Sequence, residues 1–442
     1  MDQLDLSTSE SASPRPRILL TDTNRWPVVA RLAIAFRSLE CDIAVLCRTP
    51  AHPVQKVSGI SCVFHYAGHA PLESLRKAIE TFHPDIIVPS CDRGVQHLHE
   101  LHATSRSSNP KLAELIERSI GSAEGFPITS RRRELLELAQ SEGILVPKLA
   151  PVEREADLRE WNAEPGTPWV MKADGTWGGQ GVRFVNNADE AREFFLEYGR
   201  HASVASLMRK LLFNRDWDWV MFDWYHSQRP VIAQTLIKGR PANCAVVCWQ
   251  GKVLAGIAVE VVKAKGTYGP ATLVHVVPGT EMMEAAGKIA RRLRITGFFG
   301  LDFMIENGTG AVYLIEMNPR CTPPCPLSLG KGRNLVAALW SEMTGQPAPS
   351  NLPEIEQNFI AYFPKCGKGN GTDVNHHEPI HLDVPADEPE LIRELLHPLS
   401  GRNVVGQLID RMWRKQNQEP ASVAVFKEKD NYTKKSVLGT LQ

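Results

Sequence analysis

The run FFGLDFMIENGTGAVYLIEMNPR, residues 298–320, sets Asp302, Glu316 and Asn318 into two otherwise apolar, strand-like stretches joined by an Asn-Gly turn. Acids on such strands are costly unless they are paired or hold a cation. Glu316 and Asn318 are two residues apart and so share one face of a strand. An odd loop built on Gly308, Thr309 and Gly310 is expected to put Asp302 directly across from Glu316, and an even loop to send the two acids to opposite faces. Two carboxylates and an amide oxygen on one surface form a hard-oxygen site suited to Mg²⁺, which favours octahedral geometry and keeps waters or phosphate oxygens among its ligands. The competing reading is that these acids are solvated charges on a sheet face, paired with Arg320 or Lys331.

A second run, PWVMKADGTWGGQGVRFV at residues 168–185, carries the complementary charge. Lys172 follows Val170 and Met171 in a strand pattern, where its ammonium can meet phosphate oxygens as a point charge. Gly175, Gly178, Gly179 and Gly181 permit positive φ and let backbone N–H groups close over a polyphosphate, with Trp177 as an apolar lid. A plain hairpin loop would use the same glycines. The loop is not a Walker A motif, because no Gly-Lys-Ser/Thr follows and a strand comes next.

These groups need elements to hold them. After a polar, Ser/Pro-rich start, RILLTDT reads as a buried strand, VVARLAIAFRSLE as an amphipathic helix, CDIAVLCR as a strand, and PLESLRKAIETFHPDIIVPS as helix then strand. That alternation predicts a parallel sheet. Its first turn, TDTNRWP, contains no glycine, which argues against a dinucleotide fingerprint. A new unit opens at PITSRRRELLELAQSEG, with Ser130 as the expected helix cap and the end near Gly143. Strands follow at 168–173, 181–186 and 244–262, with a helix over about 280–294 before the acidic hairpin.

Composition narrows the partners. The chain has 442 residues, with Lys plus Arg and Asp plus Glu both at 50, so no global field draws it to nucleic acid or an acidic membrane. No secretory signal and no run of about 18 apolar residues is present, and nine cysteines without CxxC pairs suit a reducing, cytoplasmic compartment. Cys244/Cys248 and Cys321/Cys325 read as small core or loop thiols, and no partner histidine supports a thioester role for the second pair. His97, His99 and His102 are poorly spaced for one metal-binding helical face and read as belonging to a solvated helix. Arg333, in LGKGRNL, has a fork suited to a substrate carboxylate, or is an ordinary surface arginine.

Taken in order, a basic helix start, a lysine strand, a glycine loop, the segment QTLIKG and an acidic hairpin ending in EMNPR resemble the ATP-grasp superfamily. The pattern is similar to the carbamoyl-phosphate-synthetase-like and biotin-carboxylase-like members and spans about 17–345. The resemblance implies that Arg132 and Lys172 contact nucleotide phosphate and that Gly178, Gly179 and Gly181 belong to the mobile loop over the triphosphate. It implies that Gln234, Thr235, Leu236 and Ile237 form the hinge between two lobes, with backbone groups of Thr235 and Ile237 on the adenine edge; relatives often carry glutamate where this chain has Gln234. It makes Asp302 and Glu316 the acidic metal bridges, Asn318 the amide ligand, and Arg320 the residue that stabilises a phosphorylated intermediate.

The fold so implied is α/β: a Rossmann-like pre-ATP-grasp domain at 17–127 after a tail at 1–16, an N-terminal lobe at 128–233, a C-terminal lobe at 234–345, and a small α+β appendage at 346–442. The activity implied is that of an ADP-forming ligase using ATP and Mg²⁺, or Mn²⁺, to activate a small carboxylate as an acyl phosphate for capture by an amine. Phosphorylation of a hydroxyl, enol or carbamate is the alternative within enzymes, and a non-catalytic nucleotide-binding regulator the alternative outside them. The resemblance also allows a homodimer.

Overall fold

The computed structural model describes residues 15–48, 52–161, 168–175, 181–199, 229–266, 269–364 and 378–396. Gly178, Gly179 and the lid candidate Trp177 lie outside the described residues. The chain divides into two compact units, Met1–Ile392 and Arg393–Gln442, and the three sheets below belong to the first.

The first sheet is parallel, with strands β1 (Arg17–Asp22), β2 (Asp42–Cys47), β3 (Cys62–His65) and β4 (Ile86–Pro89) in the order β3-β2-β1-β4. Continuous apolar runs suit strands covered on both faces. Helices α1 (Pro27–Arg37), α2 (Pro71–Phe82), α3 (Asp92–Ser105) and α4 (Pro110–Ile120) flank them. Proline at the first turn starts α1, α2 and α4, where its missing N–H costs nothing. The order of strands reverses direction between β1 and β4, the place where such sheets open a crevice at their carboxyl ends.

Short helix α5 (Phe126–Thr129) leads into α6 (Arg132–Ser141). Ser130 does not cap α6; its hydroxyl meets His99 Nδ1 at 3.2 Å, and Arg131 has the extended backbone of the cap position. Instead the Arg132 N–H donates to Asp174 Oδ2 at 3.3 Å, so a carboxylate 42 residues away meets the helix start. Helix α6 ends before Gly143, which takes φ +71°.

An antiparallel sheet follows, β5 (Leu149–Val152), β6 (Trp169–Ala173), β7 (Val182–Val185) and β8 (Val231–Thr235), ordered β5-β8-β6-β7 and packed with α7 (Asp157–Glu160) and α8 (Ala188–Tyr198). Its core holds Trp169, Met171, Ala173, Phe194 and Val231. The largest sheet contains β9 (Gly239–Trp249), β10 (Lys252–Ala264), β11 (Ala271–Val277), β12 (Gly297–Glu306), β13 (Val312–Asn318), β14 (Phe359–Tyr362) and β15 (Ile380–Asp383). Its order is β13-β12-β9-β10-β11-β14-β15. Helix α9 (Thr280–Leu293) packs on β9 and β10, which α10 (Leu335–Thr344) also meets. Leu135, Leu136 and Ala139 of α6 join the same core as β9, β12 and α9, which carries the start of α6 to the edge strand β13.

Two strands from the segment beyond 345 therefore extend this sheet: Leu273–His275 pairs with Phe359–Ala361, and β14 pairs with β15 in parallel. The histidines of α3 are not on a solvated helix. His97 and His102 are buried, His97 stacks on Tyr66, His102 Nε2 meets Glu117 Oε1 at 2.8 Å, and His99 stacks on Phe126 at 4.1 Å. Aromatic partners and a carboxylate recover the polar cost of burying these rings.

Candidate active site

Strands β12 and β13 put Asp302 directly across from Glu316, but not by the loop expected from sequence. The hairpin pairs Ile305 with Val312 and Phe303 with Leu314, a register whose even loop would place Asp302 opposite Ile315. A β-bulge between Leu314 and Glu316 absorbs Ile315 as an extra residue and delivers Glu316 to Asp302. The turn keeps positive φ at Gly308 (+90°) and Gly310 (+74°). The apolar runs around the Asn-Gly turn locate the strands, but an irregular ladder leaves no simple period to read.

Asn318, on the same face, donates from Nδ2 to Asp302 Oδ2 at 2.9 Å, while its Oδ1 accepts from Arg320 Nη2 at 3.0 Å. Arg132, at the start of α6, spans the cleft: Nη2 donates to Glu316 Oε1 at 2.9 Å and Nη1 to Asp174 Oδ1 at 3.1 Å. Asp302 Oδ1 and Glu316 Oε2 accept no hydrogen bond from the described residues. Burial, then the neighbouring Glu316 charge, pushes the Asp302 carboxyl up to about 6. For Glu316 burial acts upward, yet Arg132 and Lys172 outweigh it and hold the group below its ordinary range.

Lys172 lies on β6 between Met171 and Ala173, only 4 % exposed, and its ammonium has no hydrogen-bond or ion-pair partner among the described residues. Burial lowers it to about 7, with repulsion from Arg132 adding to the effect and Glu316, Asp302 and Asp174 opposing it. All four of those groups therefore act on the lysine, and the β6 lysine and the β13 acids share one neighbourhood. The turn beyond it is closed by Ala173 N–H donating to Gly181 O at 2.9 Å, with Gly175 at φ +66°.

Gln234 is 1 % exposed and its Nε2 has no partner among the described residues. Thr235 N–H donates to Lys148 O at 2.9 Å, so that backbone donor, expected on an adenine edge, is committed to the sheet. Leu236 and Ile237 are half-buried and connect β8 of one sheet to β9 of the next. Arg333 is exposed on a turn where Leu329 N–H donates to Arg333 O at 3.2 Å, and none of the cluster's bonds includes it. Arg320 is buried: Nε donates to Asp92 Oδ2 at 2.9 Å, Nη1 to Cys321 O at 3.1 Å, and the guanidinium lies 4.4 Å from the Trp26 ring centroid. Cys321 and Cys325 are buried beside it, with Cys325 Sγ accepting from Thr322 N–H at 3.2 Å.

Sequence reasoning passed over Asp174, Asp92 and Trp26. Asp174 was signalled by its place two residues after Lys172, but Asp92, at the start of α3, and Trp26, just before α1, come from the helices that flank the parallel sheet and carried no local sign. An open cleft brings Asp92, Arg132, Asp174, Gly175 and Glu316 to one surface.

No group of three or more His, Cys, Asp or Glu side chains forms a metal cage among the described residues. Two carboxylates with unclaimed oxygens and one amide instead suit Mg²⁺, which takes its remaining oxygens from water and phosphates. Buried Lys172 and the Gln234 amide nitrogen, both without a partner among the described residues, likewise fit an anionic, hydrogen-bonding ligand such as a nucleotide.

The family described as carbamoyl-phosphate synthase L chain, ATP binding domain, matches residues 133–330, which include every candidate residue above except Arg132, Arg333, Asp92 and Trp26. A formate-dependent phosphoribosylglycinamide formyltransferase of Bacteroides thetaiotaomicron is 27% identical over 267 residues, 60% of this chain and 61% of that protein. A carbamoyl phosphate synthase large chain of Sulfolobus acidocaldarius is 24% identical over 223 residues, 49% of this chain and 19% of that one. The chain thus spans less than two thirds of the length of either. Among solved structures, N5-carboxyaminoimidazole synthase of Aspergillus clavatus with ADP and 5-aminoimidazole ribonucleotide superposes with TM-score 0.54 at 16% identity, covering 78% of this chain and 80% of that one. A biotin carboxylase complex of Campylobacter jejuni superposes with TM-score 0.53 at 15% identity, covering 76% and 72%. At these identities the superpositions speak to fold alone: the chain is built on the ATP-grasp fold, and its residues 133–330 are similar to the ATP-binding domain of the carbamoyl-phosphate synthase L chain.

Proposed function

We propose that the protein is an ADP-forming ligase that activates a small-molecule carboxylate as an acyl phosphate and joins it to an amine. One observation carries the reading: among the described residues, Asp302 Oδ1 and Glu316 Oε2 stand unclaimed in the same charged neighbourhood as Lys172, a buried ammonium with no hydrogen-bond or ion-pair partner there. Mg²⁺, or Mn²⁺, would supply charge neutralisation at the phosphates when held by Asp302, Glu316 and Asn318. In the proposed sequence a carboxylate oxygen attacks the γ-phosphorus and the bond to ADP breaks; the amine then attacks the acyl carbon, loses a proton, and phosphate leaves.

The chain's own groups do the positioning. Lys172 and Arg132 meet the phosphates, the glycine turn around Gly181 covers them, and Gln234 through Ile237 line the nucleotide base between the lobes at 128–233 and 234–345. Arg320 faces the charge that develops on the transferred phosphoryl group, and Arg333 is proposed to meet the substrate carboxylate. Preorganised donors of this kind contribute more than contact to the ground state. The curated relative's name makes it formate-dependent, and formate is the simplest carboxylate. The eight described cysteines are free thiols, in keeping with a reducing cytoplasm, and no described helix is long and apolar enough to cross a membrane. A homodimer belongs to the same proposal.

The test is phosphate and ADP release from ATP with a panel of small carboxylic acids and amines, followed by product analysis. Ligation requires release that depends on both an acid and an amine, with an amide as product. Release that depends on a hydroxyl compound alone, or no turnover with any pair despite nucleotide binding, would sink the ligase reading.

A further inference from the structure

Three hydrogen bonds form an unbroken chain from the parallel sheet to the candidate metal centre. Asp92, the first residue of α3, accepts from Arg320 Nε at 2.9 Å; Arg320 Nη2 donates to Asn318 Oδ1 at 3.0 Å; and Asn318 Nδ2 donates to Asp302 Oδ2 at 2.9 Å. A guanidinium only donates, so the amide atom facing Arg320 must be the oxygen and the atom facing Asp302 must be the nitrogen. Arg320, which only donates, and the Asp302 carboxylate, which only accepts, together fix the orientation of the Asn318 amide. Two of its N–H groups remain, one on each terminal nitrogen, after the bonds to Asp92, Cys321 O and Asn318 are counted.

The parallel sheet holds Arg320 from a second side. The Trp26 ring lies 4.4 Å from the guanidinium carbon, and the glycine-free turn TDTNRWP is what places that ring. Buried Asp22, at the end of β1, accepts from Asn24 N–H at 2.9 Å and from Trp26 N–H at 2.8 Å, while His52 Nε2 meets the same carboxylate at 2.9 Å. Val54 N–H donates to His52 Nδ1 at 3.2 Å, which leaves Nε2 to carry the hydrogen toward Asp22. Where dinucleotide-binding folds spend glycines on this turn, the present chain spends a buried Asp–His pair on fixing an aromatic ring.

We propose that Asp92 and Trp26 are positioning residues for the metal centre: they clamp Arg320, and Arg320 holds Asn318 Oδ1 by one lone pair while Asp302 holds Nδ2, so that the second lone pair of Oδ1 is the one left for the cation. The inference rests on the proposed function, because it concerns that same site. Removing the Asp92 carboxylate frees the Nε side of the guanidinium, and the Asn318 amide loses the partner that holds its oxygen in place. Groups that orient a metal ligand from behind typically change metal affinity by about 10- to 100-fold.

The experiment is Mn²⁺ titration by electron paramagnetic resonance in the presence of the non-hydrolysable β,γ-methylene analogue of ATP, using the full chain. Asp92→Asn is expected to weaken Mn²⁺ binding about 10-fold or more, Asp92→Glu to recover most of it, and Trp26→Leu to weaken it by a smaller factor. Binding of the metal-free analogue in EDTA stays within twofold of the unaltered chain in all three, which a general loss of folding would not allow. Mn²⁺ binding within twofold of the unaltered chain in Asp92→Asn, or in Trp26→Leu should the Asp92 variants fail to fold, overturns the clamp. If the unaltered chain binds no Mn²⁺ with the analogue, the proposed function falls and the clamp with it.

Discussion

At the scale of single residues, Lys172, Asp302 and Glu316 are each displaced from their ordinary titration by burial and neighbouring charge. Lys172 illustrates the sign. Burial holds it at about 7, so at pH 8 the ligand-free lysine is largely neutral, whereas a bound triphosphate favours the ammonium. Nucleotide binding at pH 8 should therefore take up a proton, and affinity should fall between pH 6.5 and 8.5. Calorimetry in two buffers of different ionisation enthalpy measures that proton. Lys172→Arg, which stays charged, should abolish the uptake, and no uptake in the unaltered chain would contradict the assignment. Lys172→Ala and Glu316→Gln should each lower turnover by about 10²- to 10³-fold, measured as ADP release at saturating ATP, with unchanged far-ultraviolet circular dichroism. Asp302 works in the opposite direction. Its folded value of about 6 exceeds the ordinary 3.8, so the folded state binds more protons in that window and loses stability as pH rises through it. Asp302→Asn should then stabilise the ligand-free protein at pH 7.5 by on the order of 1 kcal/mol in urea titrations while removing Mn²⁺ binding.

The elements carry these groups by irregularities as much as by regular structure. Apolar runs on either side of an Asn-Gly turn made β12 and β13 legible, and the spacing of Glu316 and Asn318 made their shared face legible. The bulge at Ile315 was not, because a ladder absorbs an extra residue according to packing across the sheet. The same holds at the start of α6, where Ser130 had the right chemistry for a cap and Asp174 occupies the role from another strand. The hinge is tight as well. A Cβ on Gly239 would stand 2.0 Å from the Ile305 carbonyl oxygen, where β9 leaves the hinge and pairs with β12. Gly239→Ala should therefore cost about 1–3 kcal/mol or force the strands apart, read from the midpoint of urea unfolding. An unshifted midpoint would show that the strand end gives way freely.

Over the whole molecule, the segment after 345 is tied into the large sheet and to the parallel one. Arg31 of α1 bonds to Asp383, and Arg37 bonds to Glu388, whose other oxygen accepts from Ser58 N–H at 3.1 Å. Ending the chain at residue 350 would bare the Leu273–His275 edge of β11 and strip both arginines of their carboxylates. Such a chain should aggregate or unfold at lower urea than the full chain, by light scattering and circular dichroism; full solubility with an unshifted midpoint would mark the segment as dispensable. By itself the sequence determined the types of the elements, the lysine strand, the acidic hairpin and the likeness to ATP-grasp proteins, since periodicity and short spacings are local properties of the chain. Only the tertiary structure decided that Arg132 bridges Asp174 and Glu316, that Arg320 lies between Trp26 and Asp92, and that β14 and β15 complete the sheet. Those contacts join residues up to hundreds of positions apart, and their energy comes from excluding water around charges that the chain order does not bring together.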